Sequence, residues 1–148
     1  MTVAIRQLDR PAAIDLDLAA TPWRRILLSA REDIWCLVDA EDYDWLSANT
    51  WNVWHGGARC RWKVYAKRNV GWDRATLRMH REIMIRSHHV DHINGNGLDN
   101  RRANLRWVTA KQNAANRFVR SAIPSIDDIL RELLATLPEP RELMDVPF

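Results

Sequence analysis

The chain has 148 residues, 47% of them hydrophobic, and a formal net charge of +3. That suits one domain with an appendage and a modest core. No apolar run reaches membrane-spanning length, residues 1–20 carry five charges, and the two cysteines, Cys36 and Cys60, form no CxxC pair. The composition therefore argues against a membrane protein, a signal segment and a zinc knuckle, and a cytoplasmic protein without structural zinc is expected.

The small net charge hides a division. Residues 59–120 carry +11, while residues 1–58 and 121–148 each carry −4. A basic block between acidic flanks points to a polyanion, nucleic acid above all. Of the cations, 19 are Arg and 3 are Lys, and Arg suits bidentate phosphate and guanine contacts. A genome rich in Arg codons would explain the Arg excess but not its segregation.

Residues 1–22 read as an arm bracketed by Pro11 and Pro22, with a short strand-like alternation at 13–19. "RRILLSA" and "IWCLVDA" are apolar runs of strand length that pair as a hairpin across "REDI". Asp39 then reads as the N-cap of a short helix to about Ser47, with Trp45 and Leu46 facing the core. Residues 51–79 read as two or three antiparallel strands, with turns at His55-Gly56-Gly57 and Asn69-Val70-Gly71. In the middle strand Cys60, Trp62, Val64 and Ala66 alternate with Arg59, Arg61, Lys63, Tyr65 and Lys67. A solvated strand face is the ordinary explanation. Four cations without an acidic partner on that strand favour a face turned to DNA.

"MHREIMIRS" (79–87) reads as a helix with Met79, Ile83 and Met84 inward. "VDHI" is a strand, "NGNGLDNRRAN" a polar loop, "LRWV" a second strand and "TAKQNAANRFVR" a helix opened by a Thr109–Gln112 capping box. After a short linker, Ser125 caps a last helix from Ile126 to about Leu137. Its apolar stripe (Ile126, Ile129, Leu130, Leu133, Leu134, Leu137) docks on its own domain in the ordinary case. A homodimer or protein partner is the alternative.

Taken singly, Asp91 reads as a turn cap, Asn104 as a turn residue, Asn113 as surface and His92 as a solvated histidine. Together, "VDHINGNGLDNRRANLRWVTAKQNAANR" resembles the ββα-metal core of HNH endonucleases, most closely the phage and intron homing branch. "MHREIM" and the region from about residue 35 resemble the same branch. The resemblance implies an α+β fold: a small N-terminal antiparallel sheet with short helices, a ββα-metal core, and a C-terminal amphipathic helix. The division expected is an arm (1–22), a β-rich DNA-binding region (23–87), the nuclease core (88–120) and a helix with tail (121–148).

The resemblance also implies roles. Asp91 and Asn113 take the metal-ligand positions. His92 takes that of the general base, and Asn104 that of the central Asn which holds the loop and orients the histidine. An Asn in the last position, a neutral oxygen ligand, favours one Mg²⁺ (or Mn²⁺) over Zn²⁺. A His titrating near 6.5 is a competent base at neutral pH. Arg117, one turn beyond Asn113, and Arg101 and Arg102 in the loop are assigned to phosphates, with a solvated loop equally open for the latter two. His88 and His89 read as loop residues, His55 as a turn residue and His80 as a packing residue. The function expected is a metal-dependent HNH endonuclease cutting double-stranded DNA. A catalytically inactive DNA-binding or phage accessory module on the same scaffold is the alternative.

Overall fold

The computed structural model describes residues 18–85, 89–116 and 122–138. Two apolar runs, β1 (Trp23–Ser29) and β2 (Ile34–Asp39), form an antiparallel hairpin with Trp23 opposite Asp39 and Ile26 opposite Cys36. β2 is buried on both faces, because successive side chains point to opposite sides. Cys36 and Val38 join the main core with Ile26, Leu28 and Leu46, whereas Leu37 joins a second cluster with Leu18, Ile129 and Leu130. Helix α1 (Ala40–Ser47) follows directly.

A second antiparallel sheet has the order β3 (Asn52–His55), β4 (Val64–Val70), β5 (Ala75–Arg78). The short helix α2 (Met79–Ile83) leaves β5 and buries Met79 and Ile83 in the main core. A third pair, β6 (His89–His92) and β7 (Leu105–Val108), sets Asp91 opposite Arg106 and His92 opposite Leu105. Helix α3 (Ala110–Asn116) follows and packs on both strands. Its start is held reciprocally. Gln112 N–H donates to Thr109 Oγ1 at 3.1 Å, and Thr109 N–H donates to Gln112 Oε1 at 2.9 Å, the capping box that the sequence suggested. Leu105 belongs to the same core as Ile26 and Met79, so the β6–β7–α3 unit is anchored to the rest of the described chain. Helix α4 (Ile126–Thr136), capped by Ser125, lays Ile129 and Leu130 on Leu37. Its apolar stripe thus docks on its own chain.

The class is mixed α and β, with small antiparallel sheets and short helices. Among the described residues no helix is long and apolar enough to cross a membrane.

Several expectations need correction. The strand expected to carry Arg59, Arg61 and Lys63 begins only at Val64. Before it the backbone closes two tight turns, Cys60 N–H to Gly57 O and Lys63 N–H to Cys60 O, both at 2.9 Å. Alternating composition there reflects turn residues, not a pleat. The second turn falls at Gly71–Arg74, not at 69–71. Trp45 is 42% exposed instead of facing the core, its indole N–H donating to Asp42 Oδ1. Asp39 occupies the N-cap position of α1 but makes no side-chain cap; its carboxylate accepts from the Arg102 N–H at 2.9 Å. Helix α2 ends at Ile83, and Ile85 has a positive φ of 56°. The strand-like stretch at 13–17, Arg117 and His88 lie outside the described residues.

Candidate active site

The site forms where β6 ends and the Asn-rich loop begins. This loop is built from its own amides. Asn104 Oδ1 accepts from the Asn94 N–H, and Asn104 Nδ2 donates to Asn94 Oδ1 and to the Asp99 carbonyl, each at 2.9 Å. Asn94 Nδ2 donates to Asp99 Oδ2 at 2.8 Å. Asn96 and Asn94 accept from the backbone two residues ahead, at Leu98 and Asn96 respectively. Asn side chains close such short turns readily. Gly97 is needed for a different reason: a Cβ there would strike the Val64 carbonyl and the Tyr65 ring. The loop therefore lies directly on β4.

Its far end docks on β2. Leu37 N–H donates to Leu98 O and Asn100 N–H donates to Leu37 O, both at 2.8 Å. This brief parallel pairing buries Asp99 and Asn100 completely. Asn100 then reaches His92: its Oδ1 lies 2.9 Å from Nε2, while its Nδ2 faces Met79 Sδ at 3.3 Å. Asn104, expected to hold the loop and orient the histidine, bonds the loop at Asn94 and Asp99, and the direct side-chain partner of His92 is Asn100.

His92 is 6% exposed and His80 4%. Their rings meet edge to face at 4.8 Å, and Tyr65 packs on both at 5.3 and 5.7 Å. Burial pushes the His92 imidazole below its ordinary 6.5, against the opposing bond from Asn100 and the Asp99 and Asp91 carboxylates. Burial and the neighbouring His92, Arg78 and Arg81 charges push His80 well below 6.5. Both rings are therefore neutral at pH 7. Asp91, on the opposite face of the strand from His92, meets Arg106 Nη2 at 2.9 Å.

A recess of about 70 Å³ has Asp91, His92 and Asn113 in its lining, with Lys63 and Tyr65. Three of the four core residues named from sequence are thus brought together; Asn104 lies behind them as the loop's brace. Lys63, Tyr65 and Asn113 also line a larger groove of about 410 Å³ that includes Arg59, Arg78 and Arg81. Arg78 stacks its guanidinium over Trp54 and Tyr65, at 5.2 and 5.6 Å. Lys67 pairs across the strands with Arg78. Arg61 is exposed on the turn before β4.

The two loop arginines face inward partners. Arg101 clamps the buried Asp99 carboxylate through Nε and Nη2 at 2.8 and 2.7 Å. Arg102 clamps Asp42 of α1 at 2.8 and 2.9 Å. Ion pairs within the chain thus engage both loop arginines, for which phosphate contact and a solvated loop were equally open.

Sequence reasoning missed Asn100, Arg78 and Arg81. No periodicity marks Asn100, which stands among several polar loop residues; only the pairing with β2 selects it. Arg78 was accessible in principle, since the hairpin register sets it opposite Lys67.

The cation chemistry of the recess can be judged from its donors. Asp91 and Asn113 offer oxygen, and no group of three His, Cys, Asp or Glu able to hold a metal occurs among the described residues. That set fits a hard divalent ion whose remaining positions are filled by water and substrate oxygen, and does not fit a closed zinc site.

Comparison with known families agrees in location. Residues 86–115 match the family model described as HNH endonuclease. No curated protein and no solved structure gave a match. The matched residues include β6, β7 and most of α3, so this stretch is similar to the HNH endonuclease family.

Proposed function

Proceeding from this similarity to HNH endonucleases, we propose that the chain is a metal-dependent endonuclease that hydrolyses phosphodiester bonds in double-stranded DNA. The observation that carries it is the recess shared by Asp91, His92 and Asn113, opening beside an arginine-lined groove.

His92 is the general base. Its Nε2 carries the hydrogen donated to Asn100, which leaves the Nδ1 lone pair to take a proton from the attacking water. Its lowered pKa keeps it unprotonated at neutral pH. Asp91 and Asn113 would hold one divalent ion, Mg²⁺ or Mn²⁺, which when bound supplies charge neutralisation at the phosphate and the leaving oxygen. Asn104 fixes the loop in which the base sits. Lys63, Arg59, Arg78 and Arg81 bind backbone phosphates along the groove, with the salt dependence expected of such contacts. Arg61 and Lys67 extend that basic surface, and Tyr65 forms the wall between base and groove. Arg117, four residues after Asn113 in the sequence, is assigned to a phosphate. One such site cuts one strand at a time, so a double-strand break needs two events or two copies. The likeness of "MHREIM" and the preceding region to the homing branch supports a free-standing enzyme of that kind.

The test is plasmid nicking. Supercoiled DNA is incubated with the protein and Mg²⁺ or Mn²⁺, with chelator and His92→Ala in parallel. Metal-dependent relaxation, reduced about 10²- to 10⁴-fold in His92→Ala while DNA binding persists, is expected. Binding without cleavage across both metals would favour an inactive DNA-binding module on this scaffold.

A further inference from the structure

We propose that the β4–β5 hairpin is a second DNA contact, in which Trp72 at its tip stacks its indole on the bases away from the cleavage recess. This rests on the DNA-cleaving reading above and extends it to where the duplex is gripped.

Trp72 is 97% exposed. An indole is a large apolar surface that folding ordinarily hides. The other exposed indoles, Trp45 and Trp107, are 42% and 57% exposed and donate their N–H groups to Asp42 and to the Met84 carbonyl. The tip that presents Trp72 is a closed turn. Arg74 N–H donates to Gly71 O at 3.3 Å, with both residues in left-handed backbone at φ 54° and 72°. The Asp73 carboxylate accepts from Ala75 N–H at 3.4 Å.

The hairpin also leads away from the site. Arg78 and Arg81 line the groove beside the recess, and both also line a further recess of about 340 Å³ along β5 with Thr76, Leu77 and Glu82. The walls therefore continue from Tyr65 towards the tip. From Tyr65 to Trp72 the chain advances about 20 Å at strand rise, roughly six base pairs of duplex. Residues 64–78 carry Lys67, Arg68, Arg74 and Arg78 against one carboxylate, Asp73. That balance suits a polyanion such as DNA, and the same hairpin of a second copy would repel this one. In a duplex such stacking wedges the indole between two base steps, which it partially unstacks and kinks, and it reads no base edge.

The probe is a short duplex spanning the strongest nick that the wild-type protein makes in supercoiled plasmid, bound in chelator. Trp72→Ala is compared with Trp72→Phe and Arg74→Ala. Trp72→Ala is expected to melt like wild type, to bind about tenfold more weakly, and to leave the dependence of log Kd on log salt unchanged. Arg74→Ala lowers that slope by about one. Trp72→Phe recovers part of the affinity. Permanganate reactivity of a thymine roughly six base pairs from the nick is expected with wild type and lost in Trp72→Ala. Nicking by wild type with unchanged Trp72→Ala binding and footprint overturns the inference alone. A change in self-association without a change in DNA binding also overturns it, assigning the tip to a second copy. Absence of both nicking and binding in wild type removes the nuclease reading and the inference together.

Discussion

Asn100 holds His92 Nε2 at 2.9 Å with its amide oxygen, and its amide nitrogen faces Met79 Sδ at 3.3 Å. With the amide oxygen toward the ring, the bond assigns the hydrogen to Nε2 and leaves the lone pair on Nδ1. Asn100 is itself held by β2 through its backbone. The main core thus sets the orientation of the proposed base.

Replacing Asn100 should therefore act on turnover, not on DNA affinity. Asn100→Ala is expected to lower kcat roughly 10- to 100-fold, less than loss of the general base itself, with KM little changed. Asn100→Asp keeps an acceptor on Nε2 and adds a negative charge. It raises the His92 pKa and moves the acid limb of the kcat profile to higher pH. Kinetics of both variants across the acid limb check this. Wild-type turnover in Asn100→Ala, or an unmoved limb in Asn100→Asp, would remove the positioning role.

Stability should fall in acid for a related reason. His80 and His92 are buried with pKa values below the unfolded value of about 6.5. The unfolded chain then binds protons more readily than the folded one. The stability concerned is fully present above 6.5 and is lost progressively as pH falls below it. Urea unfolding of the metal-free protein on both sides of 6.5 measures the slope. His80 Nδ1 is buried without a hydrogen-bond partner among the described residues, so His80→Phe should flatten the acid loss at little cost near neutrality. An identical slope in His80→Phe would show that His80 contributes nothing to it.

Much of this was legible in the sequence. The β1–β2 hairpin, β6, β7 and the capped start of α3 follow from apolar period and cap chemistry. These signals are local, and the local structure obeyed them. Trp45 and the stretch Arg59–Lys63 were misread because amphipathic pattern does not say whether the backbone is pleated or turning. The Gly56-Gly57 turns override it. Asn100 and the partner of Arg102 were invisible because each depends on a contact made elsewhere in the fold. Arg102 meets a carboxylate sixty residues away, and no spacing rule reaches that far.

That ion pair makes its own prediction. Arg102 is half exposed while Asp42 is almost fully buried, at 51% and 5% of their side chains. The guanidinium beside it holds the Asp42 carboxyl below its usual range. Without Arg102 that carboxylate would be buried with, among the described residues, the Trp45 indole N–H to bond it. Arg102→Gln should cost about 1–2 kcal/mol, less than a fully buried pair because water screens the arginine. The salt slope of DNA binding should not change. Chemical denaturation and salt titration of the same variant decide the matter: a lower slope with unaltered stability would return Arg102 to the phosphates.

Asp91 and Arg106 give the last prediction. They face one another across β6 and β7, with Arg106 Nη2 and Nε at 2.9 and 3.2 Å from one carboxylate oxygen. A cation held by Asp91 must share this carboxylate with the guanidinium, and like charges at that range repel. If Asp91 takes its proposed metal role, the ion pair would oppose metal entry while it holds the carboxylate in place. Arg106→Gln should bind Mn²⁺ more tightly than wild type in the absence of DNA, and Asp91→Asn more weakly. Calorimetric titration without nucleic acid isolates this effect from any phosphate contact Arg106 makes. If Arg106→Gln binds Mn²⁺ no better than wild type, the two residues do not compete. Asp91 would then hold the ion through geometry that leaves its ion pair intact.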